Sequence, residues 1–244
     1  MTRNNYTIAL AGNPNTGKST LFNVLTGLRQ HTGNWPGKTV VHAEGFFTYK
    51  DCRYKLVDLP GTYSLYSNSA DEEVARDFII FEKPDATIVV LDATALERNL
   101  NLALQVLEMT DRVIVCVNLM DEAKKKGIRI DPGKLSASLG VPVIPISARN
   151  KEGIDVLLET LDQMVHGKIK TDPIVVRYGP DIERRIHELI PSIKELFGDA
   201  YPARWVALRL LDGDTSLLRA LQQRSTRLRK EAVSHADHHS AASV

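Results

Sequence analysis

The stretch Gly12-Asn13-Pro14-Asn15-Thr16-Gly17-Lys18-Ser19 follows an apolar run, Ile8 to Ala11, and opens an amphipathic one. Glycine at both ends lets the main chain curl so that its N–H groups point inward, which is the geometry a phosphate needs. Asn13, Pro14, Asn15, Thr16 and Gly17 form the wall of this cradle, Lys18 can reach the β- and γ-phosphates, and Ser19 can ligate Mg²⁺. Thr20 follows on the helix that begins here, whose positive end favours an anion. Val57-Asp58-Leu59-Pro60-Gly61 lies forty positions after Lys18. An Asp closing an apolar strand can hold Mg²⁺ through a water, and the Gly61 N–H can bond the γ-phosphate and so report its presence. Gly33-Asn34-Trp35-Pro36-Gly37-Lys38-Thr39, between the two, is a loop with three breakers and a Trp. Thr39 is the expected hydroxyl completing the Mg²⁺ shell, with Thr32 as its competitor, and such a ligand orders a loop only when the γ-phosphate is there.

The base is chosen further on, by Asn118-Leu119-Met120-Asp121, which again follows an apolar strand. A carboxylate at Asp121 can accept both guanine N1–H and N2–H₂, whereas adenine offers neither donor, so the wrong base would leave it unpaired. Asn118 is expected to bond N7 and tie neighbouring loops together. Ser147-Ala148 supplies a companion, with the Ala148 N–H aimed at guanine O6. GTP or GDP with Mg²⁺ is the ligand this set describes. An ATPase using the same cradle conflicts with Asp121.

Positioning these residues at one edge requires a sheet. Apolar, β-branched runs at Tyr6–Ala11, Ala43–Tyr49, Arg53–Asp58, Ala86–Asp92, Arg112–Asn118 and Val141–Ile146 alternate with helix-length segments. That predicts an α/β fold on a mostly parallel six-stranded sheet, with one antiparallel hairpin where only Lys50, Asp51 and Cys52 separate two strands. Helices are expected near Lys18–Gly27, Glu72–Phe81, Glu97–Met109, Pro132–Leu139 and Gly153–His166. Asp71, Glu72 and Glu73 read as the acidic first turn of a helix, not as a catalytic base. Lys124-Lys125-Lys126 reads as a solvated helix end. After Gly167 the chain turns polar and Pro-broken, so the first domain is placed at 1–169 and a small all-helical domain at 170–244. His235, His238 and His239 lie in a tail of fraying character.

With 244 residues, a formal net charge of +1 and 43% hydrophobic residues, the chain can fill a core and carries no basic footprint for nucleic acid. The two cysteines, Cys52 and Cys116, sit at strand positions instead of forming a metal or redox pair, which suits a reducing compartment. No cluster of metal ligands is evident along the chain. No signal peptide or uncharged run of about 18 residues is seen, so the residues shown are expected to be soluble by themselves.

The chain resembles the P-loop GTPases of the Ras-like superfamily, and more closely the cytosolic N-terminal region of FeoB, a family of bacterial ferrous iron transporters. The resemblance rests on Gly12–Ser19 with its Asn-Pro-Asn, Asn34-Trp35-Pro36-Gly37-Lys38-Thr39-Val40, and Asp58-Leu59-Pro60-Gly61-Thr62-Tyr63-Ser64-Leu65. It extends to Asp92-Ala93-Thr94, Leu96-Glu97-Arg98-Asn99-Leu100 and Asn118-Leu119-Met120-Asp121. It implies a helical domain that modulates nucleotide release, a separate membrane domain as partner, and a place on the cytoplasmic side of the bacterial inner membrane; oligomeric state is left open. It also implies K⁺ beside the phosphates, held by Asn15 and by carbonyls of Gly33 and Trp35, so that Asn15, Lys18, Thr39 and Gly61 would serve catalysis. Two departures from the superfamily stand out. Leu119 replaces the usual Lys over the base, as is common in FeoB-like chains, and Thr62 stands where Ras-like enzymes have a water-positioning Gln, which implies slow hydrolysis. The competing reading is a free-standing GTPase of ribosome assembly or RNA modification, which would want a basic appendage that is absent from this sequence.

Overall fold

Strands β1 (Asn5–Gly12), β5 (Ala86–Asp92) and β6 (Val113–Asn118) are near-continuous apolar runs, and only a strand covered on both faces tolerates that pattern. They form the middle of the sheet in the computed structural model, which describes residues 4–28, 30–35, 38–66 and 69–224. The remaining strands are β2 (Gln30–Asn34), β3 (Val41–Tyr49), β4 (Cys52–Asp58) and β7 (Val143–Pro145), and the order across the sheet is β2-β3-β4-β1-β5-β6-β7. All pairs from β4 to β7 are parallel, while β3 runs antiparallel to β4, with Tyr49 opposite Cys52. The hairpin loop is therefore Lys50-Asp51, and Lys50 takes a φ of 50° to turn it.

Among the described residues the sheet has seven strands, not six. The seventh, β2, is an edge strand of sequence Gln-His-Thr-Gly-Asn, antiparallel to β3. Its side chains do not alternate between apolar and polar, and its pairing partner alone makes it a strand. Gly33 and Asn34, read as loop residues, belong to it, as does Thr32.

Helices α1 (Lys18–Thr26), α3 (Leu96–Met109), α5 (Pro132–Leu139) and α6 (Ile154–Val165) fall where the apolar spacing places them. Helix α2 (Ala70–Asp77) starts at an N-cap, Ser69, whose hydroxyl accepts the Glu72 N–H at 3.2 Å, with Asp71, Glu72 and Glu73 in its first turn. The expected helix over Glu72–Phe81 changes character at Phe78, where the chain widens into a π-turn, Phe78–Glu82, that buries Phe78, Ile79 and Ile80. Short helix α4 (Met120–Lys125) follows β6 and carries Lys124 and Lys125 in its last turn.

One face of the sheet presents Ile8, Leu10, Leu56, Ile88, Val90 and Ile114 to Leu21 and Phe22 of α1 and to Leu157 and Leu161 of α6. Each such side chain contributes about 1.5–3 kcal/mol by leaving water. Asn99, one of the residues carrying the family resemblance, has a structural task. Its buried amide accepts the Asp92 N–H at 3.2 Å and donates to the Ala95 carbonyl at 2.9 Å, which fixes the turn from β5 into α3.

The chain divides into two compact units, residues 1–178 and 179–244. The polar stretch after Gly167 is a strap on the first unit. Asp172 N–H bonds the Gly140 carbonyl at 2.9 Å, Ile174 N–H bonds Leu139, and the Tyr178 hydroxyl donates to Glu108. The second unit contains α7 (Pro180–Phe197), α8 (Ala203–Leu211) and a helix over 215–224. Ile186, Ile193, Trp205, Val206, Leu217 and Leu221 are buried, and Arg204 grips Glu183 with two bonds of 2.7 and 2.8 Å that join α8 to α7. The tail with His235, His238 and His239 lies outside the described residues.

Gly140 ends α5 at a φ of 72°, and a Cβ there would lie 1.7 Å from the Asp172 carbonyl oxygen. Gly167 has a similar φ, 69°, with open space around it. Gly167→Ala should cost ~1 kcal/mol from its backbone conformation alone. Gly140→Ala should cost at least about twice that, because the strap must also move, and urea unfolding of the two variants side by side measures the difference.

Candidate functional site

The order of the sheet reverses on either side of β1, so the loops leaving the carboxyl ends of β1, β4, β6 and β7 open onto a common crevice. The first is the loop from Gly12 to Lys18. Both of its glycines have a steric reason. A Cβ at Gly12 would lie 2.8 Å from the Val90 carbonyl on β5, and one at Gly17, where φ is 82°, would lie 2.3 Å from Nδ2 of Asn118. Asn15 is exposed and also has positive φ, 66°, while the Thr16 hydroxyl bonds the Asn13 carbonyl at 2.9 Å. Consecutive αR and αL residues of this kind turn N–H groups to one side. Ser19 and Thr20 stand exposed on the first turn of α1. The Asn13 side chain is 1% exposed, and neither its amide nitrogen nor its oxygen has a partner.

Lys18 is buried and reaches across to β4, where its ammonium bonds the Asp58 carboxylate and, at 2.7 Å, the Leu59 carbonyl. Burial pushes the Asp58 carboxyl up from its ordinary value, and the charge of Lys18 opposes that rise. Gly61, exposed, sits against Pro14, with the Pro14 backbone 3.5 Å from where a Cβ would be. The β4 loop thus lies directly on the β1 loop. Thr62 is buried.

The second half of the site hangs on Asn118, the last residue of β6 and 1% exposed. Its Nδ2 donates to the Thr16 carbonyl at 2.9 Å, and its Oδ1 accepts the Ala148 N–H at 3.0 Å. The expected tie between loops is therefore present. The expected aim of the Ala148 N–H differs, because Asn118 takes that donor. Leu119 has a φ of 63°, which turns the chain into α4 and places Asp121 in its first turn. Asp121 is half-buried and accepts the Ser147 hydroxyl at 3.0 Å. That bond, with N–H groups of Asp121 and Glu122, holds its carboxyl below the usual range, so it is a carboxylate at neutral pH.

The loop bearing Trp35 is less tightly joined to these. Trp35 N–H bonds the Val40 carbonyl, Lys38 N–H bonds the Trp35 carbonyl at 3.0 Å, and Gly33 lies opposite His42 in the β2–β3 ladder. The indole packs on His42 and Phe78 at ring distances of 5.1 and 5.4 Å. Thr39 is exposed, and among the described residues no hydrogen bond joins it to Ser19 or Asp58. Thr32 is exposed within β2. Pro36 and Gly37 lie outside the described residues. Two features had no sequence signal: the ion pair of Lys38 with Glu73, at 2.6 Å, which holds this loop to α2, and the orphaned amide of Asn13.

Truncating Asn118 to Ala would leave the Thr16 carbonyl and the Ala148 N–H without partners inside the protein. The expected cost is about 2–4 kcal/mol in thermal or urea unfolding without nucleotide. Asp121→Ala, which removes one half-exposed bond, should leave the same midpoint nearly unchanged.

Comparison with known proteins agrees with this geometry. Residues 6–161 match the family described as "Ferrous iron transport protein B", and residues 178–243 match "FeoB cytosolic helical domain". The chain is 40% identical over 216 residues to the "Fe(2+) transport protein A/Fe(2+) transporter FeoB fusion protein" of Porphyromonas gingivalis, covering 87% of this chain and 26% of that one. It is 43% identical over 215 residues to "Fe(2+) transporter FeoB" of Escherichia coli K12, covering 85% and 27%. It thus spans about a quarter of the length of these relatives. The solved cytosolic domain of the T. maritima FeoB iron transporter in apo form superposes with a TM-score of 0.79 at 38% identity, covering 92% of this chain and 86% of that one. Its GDP and GMPPNP forms superpose at 0.79 and 0.78. Sequence, fold and loop geometry converge, and the chain belongs to the ferrous iron transport protein B (FeoB) family.

Proposed function

We propose that this chain binds GTP and GDP with Mg²⁺, hydrolyses GTP slowly, and acts on the cytoplasmic side of the bacterial inner membrane as the regulatory part of a ferrous iron transporter. The carrying observation is the Asn118 side chain, which joins the Thr16 carbonyl to the Ala148 N–H and so sets the phosphate loop and the base loops around one ligand. The T. maritima relative, solved with GDP and with GMPPNP, supports the same ligand class.

In this reading, N–H groups of Asn13 and of residues 15–20 cradle the phosphates, and Lys18 leaves Asp58 to pair with the β/γ-phosphates. Asp58, released by that exchange, would hold Mg²⁺ together with Ser19 and Thr39, and the ion would neutralise charge on the phosphates. Hydroxyl and carboxylate oxygens are the donors Mg²⁺ prefers, so the set fits the ion. Bringing in Thr39 pulls on the Lys38–Glu73 pair, and the Gly61 N–H on the neighbouring loop senses the γ-phosphate. Asp121, held ionised by Ser147, reads guanine N1–H and N2–H₂.

The chain's own groups offer positioning and charge but no committed base, and Thr62 cannot orient water as a Gln does, so turnover is slow. Asn15 and the carbonyls of Gly33 and Trp35 would hold K⁺, which would supply the missing positive charge; the Trp35 carbonyl also accepts the Lys38 N–H. The second unit, 179–244, modulates nucleotide release, and the partner is the transporter's membrane domain. RNA is not favoured as a partner, since residues 178–243 match a FeoB helical domain and the net charge is only +1.

GTP turnover by the purified chain should be faster in KCl than in NaCl, and Asn15→Ala should abolish the difference. Equal rates in the two salts overturn the potassium role. Asp121→Ala should lose guanine preference, which sites built on paired hydrogen bonds hold at about 10⁴-fold. GDP affinity unchanged in that variant would overturn the base assignment.

A further inference from the structure

Far from the nucleotide loops, Cys52, Asp162 and His166 bring a thiol, a carboxylate and an imidazole together, with ligand atoms all within 4.8 Å of one another. Cys52 opens β4, at the opposite end of the strand from Asp58, roughly 20 Å away at the rise of an extended chain. Asp162 sits on the last turn of α6, and His166 immediately follows that helix. The residues are separated by 110 and 114 positions from Cys52, which is why no spacing in the sequence reveals them.

The arrangement is oriented as well as close. Nδ1 of His166 lies 2.7 Å from the backbone carbonyl of Asp162, an atom that can only accept, so Nδ1 carries the proton. Nε2 then holds the free lone pair, and it faces Cys52 Sγ at 3.9 Å. Fixing one imidazole nitrogen through a carbonyl so that the other is free is how proteins prepare a histidine ligand. The ring is steadied further by an edge-on contact with Tyr6 at 5.4 Å. An ion bound at about 2.3 Å from sulfur and about 2.0 Å from nitrogen in tetrahedral geometry sets those two atoms about 3.5 Å apart, so a shift of a few tenths of an ångström suffices.

The charges around the cluster favour a cation. Asp162 Oδ1 accepts the Tyr54 hydroxyl at 3.0 Å and lies 3.3 Å from the protonated Nδ1 of His166, while Oδ2 pairs with Lys50 at 2.9 Å and keeps a lone pair that is released when Lys50 moves. Lys50 also pairs with Glu159, so these two carboxylates outnumber the one ammonium. Lys50 is about half exposed and can swing away, and the His166 side chain is 26% exposed, which gives an ion a way in. Cys116, the other cysteine, is fully buried in mid-strand, and burial pushes its thiol far up, so it does not compete.

We propose that Cys52 Sγ, His166 Nε2 and the Asp162 carboxylate form a binding site for a single thiophilic divalent cation of the Zn²⁺, Co²⁺ or Fe²⁺ class, stapling β4 to α6. Binding breaks the Cys52 S–H bond, forms the sulfur–metal bond and releases the proton to solvent, so affinity falls as pH falls. The mixed S, N and O donor set suits these ions and not Mg²⁺ or Ca²⁺. The site is independent of the nucleotide reading. Because β4 also carries Asp58, an ion here would act on the strand that ends at the nucleotide loops.

The test is a Co²⁺ titration of the full chain with His235, His238 and His239 each changed to Ala, so that the tail cannot contribute. A thiolate-to-cobalt charge-transfer band should grow to one equivalent, vanish in Cys52→Ser and persist in Cys116→Ala. His166→Gln changes a partly exposed residue and should keep the far-ultraviolet circular dichroism of the parent. It should weaken Co²⁺ binding by at least about 10-fold, the loss that removing even a supporting partner brings. No band at saturating Co²⁺, a band that survives Cys52→Ser, or unchanged affinity in a folded His166→Gln protein would each overturn the proposal.

Discussion

One primary amide holds the upper edge of this molecule together. Asn118 is sealed from solvent and spends both ends of its side chain on main-chain atoms of other loops, the Thr16 carbonyl and the Ala148 N–H. Inside a protein such bonds are stronger than in water, and breaking one strands a polar group. The demand spreads outward from there. Gly17 must lack a Cβ because the Asn118 amide occupies its space, Gly17 must then turn through positive φ, and α1 starts only after that turn. The position of Lys18 follows.

Lys18 and Asp58 show the same economy in charge. Each is largely removed from water, and each would be costly alone, so the pair neutralises itself across α1 and β4. A ligand carrying both negative phosphates and a divalent cation can replace each partner with a better one. The raised carboxyl of Asp58 and the lowered carboxyl of Asp121 show how two acids at one edge differ by surroundings, the first shaped mainly by desolvation and the second mainly by a donated hydroxyl. At the other end of β4, the cluster of Cys52, Asp162 and His166 places a second polar constellation on the same strand. Strand β4 thus has chemistry at both tips.

The stretches that carry the family resemblance do two kinds of work. Gly12–Ser19 and Asn118–Asp121 line the crevice. Asn99 and Trp35 lie in equally distinctive strings, yet Asn99 fixes the turn between β5 and α3 and Trp35 packs on His42 and Phe78. A motif marks where the chain is constrained, and the constraint is as often local geometry as ligand contact.

The sequence alone determined the parallel core, the helices between its strands and the loops that surround the crevice, because these rest on short-range signals: apolar runs buried on both faces, helical apolar spacing, and Gly or Pro at the breaks. Only the tertiary structure decided the rest. Strand β2 has no apolar alternation and exists because β3 offers an edge; the Ala148 N–H is claimed by a side chain thirty residues away; and the strap to Tyr178 reads as a linker but pairs with Gly140 and Leu139. Cys52 and His166 meet across 114 positions. In each case the deciding partner is distant along the chain, and composition or periodicity within a window carries no record of which remote atom completes a hydrogen bond.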